Sequence, residues 1–220
     1  MKTIYWINEK TKESYNLAAQ QYHDLFHNEL DKKGHDRVLL DKFSGMLAPG
    51  STVCDAGCGP SAHIGKYLYN NGMKVMGVDI SDKCIKLASE FNPDLQYLCE
   101  DFASLSVENE YFDGIISFYS IIHTPKKLVC NIFNEFCRLL KPGGYLLTTV
   151  KAGETEGLQN DLLGINTEIY VSLFTEDEIK SCYRNSGFEL VYFESRKPYD
   201  FEIQYDRIIA IGRKINQNNK

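Results

Sequence analysis

The sequence predicts an α/β fold in which a mostly parallel sheet lies between two layers of helices. Three observations carry that prediction. Between residues 51 and 150, short β-prone runs alternate with amphipathic stretches at helical spacing, the pattern of strands joined by helical crossovers. The run Phe112-Asp113-Gly114-Ile115-Ile116-Ser117-Phe118 is apolar on both faces, as a central parallel strand must be when helices cover both sides. Residues 188–194 and 206–212 are strand-like, with too few residues between them for a helical crossover, so they pair antiparallel as a hairpin at one sheet edge.

The elements follow in order. Residues 12–47 read as two helices ahead of the sheet. Ser14 is positioned to cap the first, whose Tyr15, Ala18, Ala19, Tyr22 and Leu25-Phe26 recur at three- and four-residue steps. A break at Lys33-Gly34 precedes the second, over 36–47, which Pro49-Gly50 closes. Thr52-Val53-Cys54 is the first strand, and a helix with Ile64, Tyr67 and Leu68 inward follows the glycine turn. A second strand over 73–79 leads to a helix capped by Ser81 and stopped before Pro93. Residues 95–99 form a third strand, 112–118 a fourth, 126–140 a helix and 145–150 a fifth strand. Residues 151–170 lack periodicity and carry Gly153, Gly157 and Gly164, the marks of a long mobile connection. Thr175-Glu176-Asp177-Glu178 is a capping box for the last helix. Residues 214–220 are polar and expected to fray. The chain divides into a helical lid (1–47), a ligand-binding core (48–150), an insertion (151–174) and a final helix with its hairpin (175–213), all within the size of one domain at 220 residues.

Bulk properties remove several function classes. A net charge of −6 argues against a broad phosphate-binding face, so no nucleic-acid partner is expected. No apolar run approaches the ~20 residues that span a bilayer, and residues 1–9 carry no signal-peptide pattern. Seven cysteines, an odd count without paired CxxC spacings, read as reduced thiols in a cytoplasmic protein. Cys54 and Cys58 lack two further ligands at suitable spacing, so no metal site is expected.

The chemistry concentrates in Cys54-Asp55-Ala56-Gly57-Cys58-Gly59-Pro60-Ser61, a strand running into a glycine turn and a helix start. Gly57 and Gly59 let the backbone take positive φ and approach a ligand closely, in front of a helix N-terminus with free N–H groups. Twenty residues after Gly59, Asp79 ends the second strand, where a carboxylate accepts hydrogen bonds from both hydroxyls of a ribose. Two ligand families suit this pattern. Gly57-Cys-Gly59-Pro-Ser-Ala62 matches the G-x-G-x-x-A of dinucleotide enzymes, making a nicotinamide-dependent oxidoreductase one alternative. Against it, Asp55 would repel a pyrophosphate but welcome an amine or a sulfonium.

Val53-Cys-Asp55-Ala-Gly57-Cys-Gly59-Pro resembles the first motif of the class I S-adenosylmethionine-dependent methyltransferases, and Gly77-Val-Asp79-Ile-Ser81 the second. Glu100-Asp101-Phe102, the fourth-strand run through Tyr119 to His123, and Leu139-Leu-Lys-Pro-Gly143-Gly144 are similar to later motifs of that family. The resemblance covers about residues 36–212. It implies a three-layer Rossmann-like sandwich of seven strands in the order 3-2-1-4-5-7-6, strand 7 antiparallel. It further implies S-adenosylmethionine as cofactor and S-adenosylhomocysteine as product. By the same resemblance Asp55 lies near the methionine amine, Gly57, Cys58 and Gly59 against the cofactor, and Asp79 on the ribose. Ile80 packs on the adenine, Asp101 accepts from its amino group beside Phe102, and Ser117 or Phe118 touches the methionyl portion. Ser61 stands where many relatives have a third glycine; serine is small and able to cap the helix.

Methyl transfer from a sulfonium is an in-line displacement, so catalysis rests on alignment in a water-poor pocket. His123, just past the fourth strand, is the candidate base, with an orienting or backbone-bonding role as the alternative. His23, His27 and His35 are expected at the surface, and His63 is expected to pack or be solvated. The resemblance places the acceptor pocket between the N-terminal helices and the insertion, with Tyr15, Tyr22, Tyr119, Tyr170 and Arg196 as candidates. The expectation is a small-molecule methyltransferase, monomeric or homodimeric, with no membrane partner. A non-catalytic S-adenosylmethionine-binding module remains the third reading.

Overall fold

A computed structural model of the chain describes residues 4–215. The strands are β1 (Thr52–Ala56), β2 (Lys74–Asp79), β3 (Gln96–Cys99), β4 (Phe112–Phe118), β5 (Leu140–Lys151), β6 (Glu156–Gln159), β7 (Ile169–Ser172), β8 (Phe188–Arg196) and β9 (Arg207–Lys214). The helices are α1 (Ile4–Phe26), α2 (Gly34–Gly45), α3 (His63–Asn70), α4 (Asp82–Phe91), α5 (Lys126–Leu139) and α6 (Glu176–Asn185). Seven strands form one sheet in the order β3-β2-β1-β4-β5-β9-β8. β9 pairs antiparallel with both β5 and β8 and so runs against the other six. The expected strand order, with its reversed seventh strand, is the observed one.

Side chains alternate along the central strands, which creates two cores. Cys54, Ile115, Leu146 and Ile208 face α5 and α6, packing with Phe133, Phe136 and Tyr183. Val53, Ile116, Leu147 and Ile209 face α2, α3 and α4, packing with Phe43, Leu40 and Leu68. Because every crossover returns to the same edge, the carboxyl ends of β1, β2, β3 and β4 open together at one end of the sheet. Ser81 caps α4 by accepting from Cys84 N–H, and Thr175 and Glu178 form the capping box of α6, as their spacing predicts.

Four expectations need correction. The first helix begins at Ile4 rather than after residue 12, so Ser14 is an interior residue. Its hydroxyl donates to the Glu168 carbonyl at 3.0 Å and meets Thr167 Oγ1 at 2.7 Å, tying the lid to the insertion instead of capping a helix. The 151–170 stretch contains β6 and returns through β7 as a two-stranded antiparallel sheet, whose Ile169 and Val171 pack with Tyr15. Ser61 does not cap α3; Ala62 takes that position at φ 41°, while the Ser61 hydroxyl lies 3.2 Å from His23 Nδ1. Finally, Cys130 and Cys182 are joined as a disulfide, because α5 and α6 pack side by side and bring their Cα atoms to 5.0 Å. Their separation of 52 residues leaves no local spacing to read. Among the described residues no helix is long and apolar enough to cross a membrane. From residue 216 the expected frayed tail lies outside the described residues.

Candidate active site

The strand ends frame a cavity of about 480 Å³, walled by α1 on the far side. Asp55, Gly57, Cys58 and Gly59 line it from β1, Asp79 and Ile80 from β2, Asp101 and Phe102 from β3, and Phe118 and Tyr119 from β4. Tyr15 and Tyr22 close it from α1, and His123 from the 3-10 turn after β4. The sheet therefore gathers residues up to about a hundred positions apart in sequence at the place where parallel α/β sheets bind ligands.

The glycine turn is shaped from both sides. Gly57 has φ 79° and Gly59 φ 63°. A Cβ at Gly57 would lie 2.2 Å from Ser120 Cβ, so the corner after β4 presses directly on the turn. That corner is locked: the Ser120 hydroxyl donates to the Ala56 carbonyl at 2.6 Å and meets Ser117 Oγ at 2.6 Å. The carboxylates are also fixed by backbone. Asp79 Oδ2 accepts from Gly59 N–H at 3.0 Å and Oδ1 from Ser81 N–H at 2.9 Å. Asp55 Oδ2 accepts from Gly65 N–H at 2.9 Å. Burial pushes Asp55 up to about 7, against the pull of His63, and Asp79 up to about 6, against its backbone hydrogen bonds. Asp101 accepts from Ala103 N–H and, at 2.6 Å, from the Asn8 side chain of α1.

On the opposite side the Tyr15 hydroxyl lies 2.9 Å from His123 Nε2, and His123 Nδ1 lies 2.8 Å from the Tyr170 carbonyl. A carbonyl only accepts, so Nδ1 carries the proton and Nε2 of the neutral ring accepts from the Tyr15 O–H. Burial pushes His123 down to about 4, which keeps it neutral, and pushes Tyr15 well up. Tyr119 adopts φ 53°, a left-handed conformation that side chains rarely take, with its N–H donated to the Thr149 carbonyl at 3.0 Å. Its ring sits 5.8 Å from Lys33 Nζ and 5.5 Å from the Arg207 guanidinium.

Three expected contacts stand off the cavity wall. Ser117 is fully buried and spends its hydroxyl on Ser120. Tyr170 contributes its carbonyl to His123 rather than its ring to the wall. Arg196 is held by Asp36 at 3.0 Å and Glu202 at 3.0 Å, in a buried ion network that also includes Lys33 and Arg207. Of the histidines, the surface expectation fails for His23. His23 is buried rather than exposed, stacked 3.7 Å from the Phe91 ring. His63 lines the cavity, with Nε2 2.9 Å from Glu29. His35 is part-buried and bonded to Glu194.

Asn8, Glu29, Ser120 and Asn131 also line the cavity and were not anticipated from the sequence. Asn8 lies on the part of α1 that precedes the helix expected from residue 12. The stripe Ile7, Thr11, Ser14, Ala18 has helical spacing, but its small polar members hide it from a hydrophobic count.

A sequence profile described as "Methyltransferase domain" matches residues 27–192, well over half of the chain. The chain belongs to that family. Its members use S-adenosylmethionine, and the nicotinamide reading of the glycine turn is set aside. A 24-methylenesterol C-methyltransferase 2 of Oryza sativa subsp. japonica is 25% identical over 201 residues, covering 80% of this chain and 55% of that protein. The chain thus spans about half the length of the curated sterol methyltransferases it matches. Among solved structures, the 1,6-didemethyltoxoflavin-N1-methyltransferase of Burkholderia thailandensis, with its substrate and S-adenosylhomocysteine bound, superposes with TM-score 0.76. That match covers 98% of this chain and 92% of the other at 16% identity. Magnesium protoporphyrin IX methyltransferase of Synechocystis PCC 6803, with bound S-adenosylmethionine, superposes with TM-score 0.69 at 18% identity, covering 94% and 96%. At such identities the superpositions establish the fold of this methyltransferase domain and nothing finer.

The cavity's own geometry fits an adenosyl amino acid. Each Asp79 oxygen accepts one backbone N–H and keeps a lone pair for a hydroxyl donor. Both glycines of the turn expose backbone without a side chain, and among the described residues four carboxylates but neither lysine nor arginine line the wall, as a cationic ligand requires.

Proposed function

We propose that this chain transfers the methyl group of S-adenosylmethionine to a small-molecule acceptor held in the cavity, leaving S-adenosylhomocysteine. The observation that carries the reading is one continuous cavity that joins the Gly57–Gly59 turn, Asp79 and Asp101 to the Tyr15–His123 pair. Asp79 takes the ribose hydroxyls, Asp101 and Phe102 the adenine, and Asp55 the amine of the amino-acid end. The bound cofactor supplies an electrophilic methyl group on a sulfonium.

The acceptor side is built from Tyr15, Tyr22, Tyr119, Leu128, Thr124 and His123. Aromatic bodies and hydroxyl tips, with no cationic side chain among the described residues of the wall, favour an uncharged, partly apolar acceptor carrying one or two polar groups. His123 is an orienter in this reading. Held neutral by burial, it takes the Tyr15 proton into a hydrogen bond and turns the phenolic oxygen lone pairs toward the cavity, where they accept from an acceptor N–H or O–H. The negative net charge argues against nucleic acid as acceptor.

Titration calorimetry of the purified protein with S-adenosylhomocysteine and with NAD, followed by S-adenosylmethionine with isotope-labelled methyl and a small-molecule extract, tests the proposal. Binding of the adenosyl compound and appearance of label in a small product are expected. Cofactor binding with no labelled product from any acceptor would leave a binding module instead. NAD binding alone would overturn the cofactor assignment.

A further inference from the structure

The connection from β8 to β9, residues 197–206, turns one charged side chain inward at its tip. Phe201 and Ile203 are 58% and 59% exposed, while the Glu202 side chain between them is 5% exposed. The local backbone aims it: Glu202 N–H donates to the Tyr199 carbonyl at 2.9 Å, and Glu202 Oε2 accepts from Tyr199 N–H at 3.0 Å. Three cations then converge on the one carboxylate. Lys33 Nζ lies 3.0 Å from Oε1, and Arg196 Nη1 and Arg207 Nη2 lie 3.0 Å and 3.6 Å from Oε2. Burial works to raise the Glu202 carboxyl, but Arg196, the Tyr199 N–H and Lys33 outweigh it and push it down to about 2, so it is ionised.

This network meets the cavity at two residues. Lys33 Nζ also holds Glu29 Oε2 at 2.8 Å, and Glu29 lines the cavity. Tyr119 lines it on the acceptor side, and Lys33 Nζ and the Arg207 guanidinium both stand within cation–π reach of its ring. Tyr119 needs such a hold. Its left-handed backbone is strained, and strain of that kind persists only where the surroundings over-determine the conformation. Positive charge is in excess beside the ring. Lys151, the register partner of Arg207 on β5, forms no ion pair among the described residues. Burial and Arg207 push it down to about 8, with Glu202 pulling the other way. Taking such a network out of water costs about what its attractions return, so its main effect is to fix where the cations stand.

We propose that Glu202 is a positioning residue for the acceptor wall: it gathers Lys33, Arg196 and Arg207 so that two of these cations hold the Tyr119 ring in place. The inference rests on the acceptor reading of the cavity. None of residues 197–206 lines the cavity, so Glu202 acts through Lys33 and Arg207 rather than by touching a ligand. The β8–β9 connection thereby sets the shape of the acceptor end from outside it. Without the carboxylate, the cations lose the anion they share and repel one another, and the ring loses its support.

Glu202→Gln keeps the shape of the side chain and removes its charge. One readout is the aromatic spectrum of protein carrying ring-labelled tyrosine, with the Tyr119 signal assigned through Tyr119→Phe. The other is product formed from S-adenosylmethionine with isotope-labelled methyl and the small-molecule extract, set beside the Kd for S-adenosylhomocysteine. The Tyr119 signal should move, while that of Tyr183, buried on the other face of the sheet, stays. Product formation should fall about tenfold or more with the Kd changed less than about twofold. A wild-type product rate in a variant that melts earlier would reduce Glu202 to a brace for its loop and overturn the proposal. An unmoved Tyr119 signal, or an equal loss of cofactor affinity, would overturn it as well. Should Glu202→Gln not fold, Lys33→Met breaks the same chain next to the ring and is read in the same two ways. If the wild type yields no labelled product from the extract, the acceptor reading itself falls, and this inference with it.

Discussion

The phenolic oxygen of Tyr15 lies 2.9 Å from Nε2 of His123, with the two rings edge-on at 75° and their centroids 5.4 Å apart. One residue comes from the helical lid and the other from the turn after the fourth strand, so their bond joins the two walls of the cavity. The Tyr170 carbonyl on Nδ1 settles which nitrogen carries the proton.

From this follows a prediction about the pair. His123→Ala should lower kcat about tenfold or more while the Kd for S-adenosylhomocysteine changes less than about threefold, since the ring positions acceptor rather than cofactor. Tyr15→Phe, which keeps the packing but removes the hydroxyl that His123 orients, should lower kcat by a similar factor. Steady-state kinetics and calorimetry check both, and wild-type turnover in His123→Ala would remove the orienting role. The folded ring is pushed from its ordinary value down to about 4, so between about 4 and 6.5 the unfolded chain binds more protons than the native one. His123 therefore contributes a loss of stability as pH falls through that window. Its contribution to the rate should be flat from about pH 5 upward.

Asp55 and Asp79 give the opposite sign. Burial raises them to about 7 and about 6, so the ligand-free native state binds more protons than the unfolded chain across the window from about 4 to 7. Their contribution to stability falls as pH rises through it. The ammonium group of the ligand's amino-acid end favours an ionised Asp55, and the ribose hydroxyls an ionised Asp79, so the affinity for S-adenosylhomocysteine should rise between pH 6 and 8 with release of protons. Calorimetry in buffers of different ionisation enthalpy reads that release directly, and proton uptake would contradict the placement of the amine beside Asp55. Asp79→Ala should weaken binding by about 1–3 kcal/mol, the range for lost buried hydrogen bonds.

Gly57→Ala places a methyl 2.2 Å from Ser120 Cβ at φ 79°. The left-handed backbone and the overlap together should cost about 2–4 kcal/mol in a urea melt. Cofactor binding should fall with it, because the corner that would move also carries Tyr119. Ser120→Gly in the same chain should recover part of the stability by removing the overlapped atom. No recovery would mean that the strain lies in the backbone alone.

The Cys130–Cys182 bond closes a loop of 52 residues between α5 and α6. Chain-entropy arguments put its stabilisation at about 2–4 kcal/mol. A reductant should therefore lower the urea midpoint of the wild type and leave that of Cys130→Ser unchanged. Equal midpoints for the wild type with and without reductant would show that the bond adds nothing.

Much of this molecule was legible before folding. Alternating β and α patterns, with a fourth strand apolar on both faces, sufficed for the parallel sheet, while the order of its strands came from the resemblance to the class I methyltransferases. The glycine turn with Asp55 and Asp79 located one wall of the cavity, since these features lie within one local strand–turn–helix–strand unit. The lid was read less well. Its contacts to the core run through small polar residues, Asn8 and Ser14, which carry no hydrophobic period. Arg196 was a pocket candidate by resemblance, yet Asp36 and Glu202 hold it in a buried ion network away from the cavity wall.

The sequence by itself determined the parallel sheet, the antiparallel hairpin at its edge and the carboxylate-edged turn, because each is written in residues close along the chain. Only the tertiary structure decided the tautomer of His123, the Glu29 partner of His63, the Cys130–Cys182 bond and the isolation of Arg196 from the cavity. Those depend on which partner stands opposite a side chain at hydrogen-bonding distance, and partners up to about 160 residues away leave no periodic trace in the chain.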